Sequence, residues 1–118
     1  MSQDQPIVDR ETLLNQFDGD QELLREVIAI FLEDHEHQIQ QIVAAVTTGD
    51  AKTLEAAAHT LKGSVANFGA EPARTAAFAL EQIGRSGNLN GAREALATLL
   101  REIDRVKAEL RAIGDAAA

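Results

Sequence analysis

Four long segments, in which apolar residues recur every three or four positions, restrict this chain to a helical fold more strongly than any other feature. Each segment forms one apolar stripe when it is placed on a helix at about 100° per residue. Alanine is abundant and aromatic residues make up only 3% of the chain, which favours closely packed helices over sheets. The stripes are Leu24, Val27, Ile28, Phe31, Ile39, Ile42, Val43 and Val46; Leu54, Ala57, Ala58, Leu61, Val65 and Phe68; Ala73, Ala76, Ala77 and Leu80; and Leu96, Leu99, Leu100, Ile103, Val106 and Leu110. The pattern predicts an all-α fold, an antiparallel four-helix bundle.

Capping residues and turn formers predict where these helices begin and end. Aspartate or asparagine precedes most of them, glycine follows them, and Pro72 suits the first turn of the third long helix. The predicted elements begin with a short additional N-terminal helix from Asp9 to about Gln16. The first long helix is predicted from the cap Asp20 to Gly49, and the second covers 51–68, between the cap Asp50 and Gly69. The third runs from Pro72 to about Ile83, and the fourth from the cap Asn90 to Gly114. Residues 84–90 are predicted to form a loop.

Length and composition predict a single domain over residues 1–118, with flexible tails at 1–6 and 115–118. The net charge of −8 argues against nucleic acid and anionic membranes as partners. The chain has no cysteine, which excludes disulfides and thiolate metal sites and fits a cytoplasmic location. The apolar runs are too short to span a bilayer, and the N-terminus does not have the pattern of a signal peptide. Met1 and the complete bundle favour a free-standing protein, which we expect to be a monomer.

The second long helix carries an exposed face of uncommon composition. His59 lies about 140° from the centre of the apolar stripe, so it should face solvent. A solvent face normally carries long charged side chains, but here Ala56, Gly63 and Ala66 surround the histidine. Lys62 follows His59 by three residues and is within reach of whatever the imidazole carries. This composition is typical of a surface that another molecule approaches closely.

Gly63 is the most informative residue of that face. Glycine inside a helix costs roughly 1 kcal/mol relative to alanine. The usual structural reason for such a glycine is close packing against a neighbouring helix, but Gly63 points away from the apolar stripe. We therefore expect that a side chain at Gly63 would obstruct a partner approaching His59.

The motif His59-Thr60-Leu61-Lys62-Gly63-Ser64, continued by Phe68-Gly69, resembles the signature of the histidine-containing phosphotransfer (HPt) domains of bacterial two-component phosphorelays. The resemblance covers most of the chain, because Phe31-Leu32-Glu33-Asp34 and Thr48-Gly49-Asp50 also stand where such domains usually carry similar residues. It departs from the family pattern at Val65, where a small residue is common, at Phe68, where leucine is common, and in the alanine-rich helix that follows.

The resemblance implies a phosphoryl carrier that accepts and donates a phosphoryl group on His59, in exchange with the aspartates of receiver domains. Neutral imidazole is a competent nucleophile, and Lys62 would neutralise part of the charge of the phosphoryl oxygens. The implied partners are response-regulator receiver domains, a hybrid histidine kinase, or both. No cofactor is expected on this chain, since the receiver is implied to bring the aspartate and the magnesium ion, so the protein would be a carrier and not an enzyme. The approach surface predicted for the partner is Ala56, Gly63, Ala66 and Asn67.

Phe78 and Glu81, on the third long helix, are the predicted docking residues. Phe78 lies about 140° from the apolar stripe of that helix, so it should be at least partly exposed. Glu81 is one turn further on, where HPt domains often place a polar residue near the histidine. The docking surface should therefore extend from His59 onto this helix.

The residues leave two other functions open. A helical adaptor that is not phosphorylated would explain the bundle, but neither Gly63 nor the face of small residues. A small acid–base enzyme using His59 would need a pocket and an orienting partner, and the sequence places neither. Metal binding at 33–37 is not expected, because His35 and His37 point to nearly opposite sides of a helix, and His35 is expected to be packed in the core.

Overall fold

The helical periodicity of the sequence is realised as a bundle. The computed structural model describes residues 8–117, and within that range it contains five helices and no strand. The helices are α1 (Arg10–Gln16), α2 (Gln21–Thr48), α3 (Ala51–Ala66), α4 (Glu71–Ser86) and α5 (Ala92–Ala117). Each of α2 to α5 packs against two of the others, while the short α1 contacts α2. The predicted four-helix bundle with an additional N-terminal helix is confirmed, and none of the helices in this range has the length and hydropathy that crossing a membrane requires.

Local capping chemistry starts the first three helices as predicted. Asp9, Asp20 and Asp50 each accept a hydrogen bond from a backbone N–H in the first turn of α1, α2 and α3. Gly49 ends α2 in the left-handed region with φ +75°, a conformation that glycine adopts without strain. Pro72 lies in the first turn of α4.

The predicted stripes form most of the core, although two stripe residues are partly exposed to solvent. Val43 and Leu100 are 37% and 36% exposed, because each lies at the edge of its stripe. The stripe of α3, which positions the site, is buried along its whole length: Leu54, Ala57, Ala58, Leu61, Val65 and, just beyond the helix, Phe68. Burial of this stripe fixes which face of α3 is left to solvent.

Helix α4 is longer than predicted, and the loop predicted over 84–90 starts too early. Gly84 is buried inside the helix, which ends at Ser86 and is followed by Gly87 in the left-handed region with φ +76°. A Cβ atom at Gly84 would lie 2.6 Å from the backbone nitrogen of Glu55 on α3. Glycine is therefore present at position 84 because α3 and α4 touch there, and not because the helix ends.

Two further boundaries differ by one or two residues. Helix α3 ends at Ala66, earlier than the predicted Phe68. The backbone N–H of Ala95 donates to the carbonyl of Gly91 at 3.0 Å, so Gly91 and not Asn90 holds the capping position of α5. Asn90 lies one residue too early to cap that helix.

The C-terminal end of α5 also differs from the prediction. The helix continues through Gly114 to Ala117, because Ile113 is buried against the core and holds the last turns in place. The predicted tail at 115–118 is therefore helical as far as residue 117. The other predicted tail, 1–6, lies outside the described residues.

Candidate functional site

His59 lies on the exposed face of α3, as predicted, with its side chain 67% exposed. Ala56, Ala66 and Asn67 on the same face are exposed as well. A Cβ atom at Gly63 would meet no packed neighbour within 4 Å, so close helix packing does not explain this glycine. The predicted approach surface is open.

A buried carboxylate lies directly beside the exposed histidine. Glu81 of α4 is 3% exposed, yet its Oε2 atom lies 3.1 Å from Nδ1 of His59. Its Oε1 atom lies 2.8 Å from Nζ of Lys62, and Nη2 of Arg85 donates to Oε2 at 3.1 Å. Imidazole, ammonium and guanidinium groups thus converge on one carboxylate.

Glu81 lies near the histidine, as the resemblance implied, but its burial does not suit the docking role that was predicted for it. A side chain that is 3% exposed offers almost no surface to a partner protein. Its carboxylate instead fixes the ring of His59, which supplies the orienting partner that the sequence did not place. His59 and Glu81 are 22 positions apart in the sequence, and Ala70, which lies between α3 and α4, is at their midpoint. An antiparallel helical hairpin folded about that point brings them opposite each other, in agreement with the place near the histidine that the resemblance implied for Glu81.

The electrostatics of the cluster determine where the imidazole proton lies. The hydrogen bond from Lys62 is the largest cause that holds the pKa of Glu81 below its usual range; burial opposes this shift, and the hydrogen bond from His59 adds to it. An ionised carboxylate can only accept hydrogen bonds, so Nδ1 of His59 must carry the proton. In the neutral ring the lone pair is then on Nε2.

Arg85 links the cluster back to α3. Its Nε atom donates to Oε2 of Glu55 at 3.0 Å, and this hydrogen bond is the main reason that the pKa of Arg85 is raised. Beside His59 the surface forms an open hollow of about 390 Å³. The lining residues of this hollow are Lys52, Glu55, Ala56, His59, Thr60, Glu81 and Arg85. The sequence did not predict a concave surface here.

Lys62 and Phe78 form the other side of the cluster. Phe78 is 39% exposed, which confirms its predicted exposure. Nζ of Lys62 lies 4.8 Å from the centroid of the Phe78 ring, a distance typical of a cation–π interaction. Together with its ion pair to Glu81, this contact holds the Lys62 side chain, which is 21% exposed, on the α4 side of His59.

A further exposed apolar residue lies on α2, across the face of His59 from Phe78. Ile30 is 57% exposed and lines an open groove between α2 and α3. Asn67, one of the predicted approach residues, lines the same groove. Sequence reasoning missed Ile30, although an isoleucine outside the apolar stripe of a helix is itself a signal.

The other two histidines lie away from this cluster. His35 is 3% exposed, and its Nδ1 atom lies 3.2 Å and 3.0 Å from the carbonyl oxygens of Phe31 and Leu32. The ring of His35 also stacks on Phe31, with the ring centroids 5.4 Å apart, so the predicted packing of His35 is confirmed. His37 is exposed. Within the described part of the chain, no three histidine, aspartate or glutamate side chains are grouped so that they could hold a metal ion.

Comparisons with known proteins found a matching family and a similar solved structure. The family model described as Hpt domain matches residues 26–109. The crystal structure of histidine-containing phosphotransfer protein B (HptB) from Pseudomonas aeruginosa PAO1 is similar, with a TM-score of 0.86 and 25% sequence identity. The similarity covers 94% of this chain and 96% of that one. Among curated proteins, no match to the sequence is found.

Proposed function

This chain belongs to the Hpt domain family, and on that basis we propose that His59 is the residue that carries its phosphoryl group. The protein is a phosphotransfer carrier of phosphorelays, a function in which Hpt domains work with receiver domains and histidine kinases. The open question is which atom carries the phosphoryl group and which residues assist its transfer.

One observation supports His59 above all others: its ring is exposed to solvent while Nδ1 is bonded to the buried Glu81. The carboxylate fixes the tautomer in which Nε2 has the lone pair, so the ring is prepared for nucleophilic attack before a partner arrives. His37 is exposed without such an anchor among the described contacts, and His35 is buried.

The transfer step follows from this tautomer. Nε2 attacks the phosphorus atom of an aspartyl phosphate on the receiver; the new N–P bond forms as the acyl O–P bond breaks, and the aspartate leaves as a carboxylate. The imidazole ring gains positive charge, which Glu81 stabilises through the Nδ1 proton. Donation of the phosphoryl group is the reverse reaction. No proton has to move in either direction.

We assign Lys62 the role of neutralising charge on the phosphoryl oxygens, and Phe78 that of a docking anchor. Lys62 bonds to the same carboxylate as the imidazole, so its ammonium group is close to the reacting ring. The exposed residues around Gly63 leave room for the receiver to approach. The aspartate, the magnesium ion and any further catalytic machinery are expected on the partner. The monomeric state and cytoplasmic location stay predictions.

The experiment that tests this proposal is phosphoryl transfer from a phosphorylated receiver domain, followed by detection of acid-labile phosphate on the carrier. Wild-type protein should be labelled. The variant His59→Gln should accept no phosphoryl group and should keep its melting temperature, because the side chain is largely exposed.

His37→Gln is the matched control, since it removes another exposed histidine from the same bundle. It should be labelled like the wild type. Labelling of His59→Gln, or a phosphopeptide that maps to His35 or His37, would contradict the assignment. An absence of labelling in every variant, with all tested receivers, would favour the adaptor function.

A further inference from the structure

Helices α3 and α4 touch through their backbones one turn away from the reactive histidine. A Cβ atom at Gly84 would lie 2.6 Å from the nitrogen of Glu55, 2.8 Å from the oxygen of Ala51 and 2.9 Å from Cα of Glu55. These neighbours are backbone atoms of the first two turns of α3, so they cannot move aside as a flexible side chain could. The absence of a side chain at Gly84 therefore sets how closely α4 lies to α3.

We propose that Gly84 is a positioning residue for phosphoryl transfer: it brings α4 close enough to α3 for Glu81 to hold the ring of His59. The inference rests on the proposed role of His59 as phosphoacceptor. It assigns a transfer-related role to a residue that touches neither the histidine nor the phosphoryl group.

The register of the two helices connects the contact to the site. Glu55 precedes His59 by four residues on α3, and Gly84 follows Glu81 by three residues on α4. The backbone contact at Gly84 and the hydrogen bond between His59 and Glu81 thus lie about one helical turn, or roughly 5.4 Å, apart along the same pair of helices. Arg85, next to Gly84, connects the two contacts, because it donates to Glu55 and to Glu81.

The expected displacement is large compared with the tolerance of the hydrogen bond. An added Cβ has to move from 2.6 Å to the 3.4 Å of an ordinary contact, so α4 has to shift by about 0.8 Å. The 3.1 Å contact between Nδ1 and Oε2 is already near the upper end of the hydrogen-bonding range, so a shift of that size away from α3 would weaken or break it. Loss of this bond frees the proton to occupy either ring nitrogen, and the lone pair is then no longer confined to Nε2.

The test is Gly84→Ala, with the nitrogen chemical shifts of the His59 side chain as the primary readout. In wild-type protein at alkaline pH these shifts should report a proton on Nδ1. In Gly84→Ala they should move towards a mixture of the two tautomers. The rate of phosphoryl acceptance should fall roughly tenfold, less than the ~100-fold that a misplacement of about 1 Å can cost.

Two controls separate positioning from general effects of the substitution. Gly63→Ala makes the same change in helix propensity at a position with open space around it, so it should leave the His59 shifts unchanged. In a Glu81→Ala background the acceptor of the Nδ1 proton is already removed, so adding Gly84→Ala should change the shifts little further. A purely structural role for Gly84 would give additive effects in that double variant.

Each outcome decides the proposal. Wild-type tautomer shifts in folded Gly84→Ala would overturn it. If the variant does not fold in buffer, the measurement is repeated in trimethylamine N-oxide, which favours compact states. A chain still unfolded there would show that Gly84 serves assembly of the bundle, and would also overturn the positioning role. The tautomer readout needs no phosphorylation, so a failure of His59 as phosphoacceptor would be recognised separately.

Discussion

Gly63 and Gly84 are both helical glycines, each about one turn along its helix from the contact between His59 and Glu81, and each is glycine for a different reason. Around Gly63 a Cβ atom would meet nothing within 4 Å, whereas at Gly84 it would collide with the backbone of α3. The first glycine leaves the outer face of α3 open, where we propose that a partner protein approaches. The second keeps the inner face of α4 close to its neighbour within the bundle.

The comparison shows that one residue type can leave one side of a helix pair open and bring the other side close to its neighbour. The surface around Gly63 is called the open region here, and the contact between α3 and α4 at Gly84 and Glu81 the closed region. His59 belongs to both, since its ring is exposed in the open region while its Nδ1 atom is held by Glu81 in the closed region. A carrier needs both properties: a nucleophile that a large partner can reach, and a fixed tautomer when it arrives.

The largest effect is expected from Gly63→Gln. The long side chain should slow phosphoryl transfer from a receiver by about 100-fold, because the reacting atoms are kept apart. Stability should stay equal or rise by up to about 1 kcal/mol, because glutamine is the better helix former. Denaturant unfolding and transfer kinetics on the same preparation measure the two quantities.

Gly84→Gln is the matched opposite, and should destabilise the bundle by about 1–3 kcal/mol through overpacking. If Gly63→Gln instead unfolds the protein, the open region is a packing contact and the comparison between the two glycines fails.

An intermediate effect is expected from Phe78→Ala, which tests how far the open region extends onto α4. Loss of the exposed ring should raise the dissociation constant for the receiver by roughly tenfold, about 1.4 kcal/mol. The ring also contacts Lys62, so part of the loss reflects a less well-held ammonium group. Titration calorimetry with the receiver measures the affinity.

Ile30→Ala is the control on the α2 side of the same face. An unchanged dissociation constant for folded Phe78→Ala, together with weaker binding by Ile30→Ala, would move the docking surface from α4 to the groove between α2 and α3.

The smallest effect is expected for Glu81 in the closed region, whose contribution to the free energy of unfolding should depend on pH. The pKa of Glu81 is lowered in the folded protein from its ordinary value of 4.5. The unfolded chain therefore binds the proton more readily, and Glu81 stabilises the fold fully above pH 4.5. This contribution, about 1 kcal/mol for one hydrogen-bonded group, should disappear as the pH falls through the lowered pKa.

Unfolding free energies of wild type and Glu81→Gln, measured over a pH series, give this contribution as their difference. The difference should shrink towards acid pH. A difference that is independent of pH would show that the carboxylate is not ionised against its partners in the closed region.

The sequence by itself determined the features that depend on residues close together along one helix. Periodicity placed the core stripes and the exposed face of His59, since both follow from 3.6 residues per turn. The caps Asp9, Asp20 and Asp50 were predictable for the same reason: each acts within its own first turn. The open position of Gly63 also follows from its angle on the helix.

Only the tertiary structure decided what lies across the contact between α3 and α4. A stripe pattern shows which side of a helix is buried, but not the distance or register between two buried sides. For this reason Gly84 reads as a loop residue, and the burial of Glu81 is not apparent, until the helices are packed. The anchoring of His59 depends on atoms 22 positions apart in sequence that meet at 3.1 Å, and distance between helices is a property of packing.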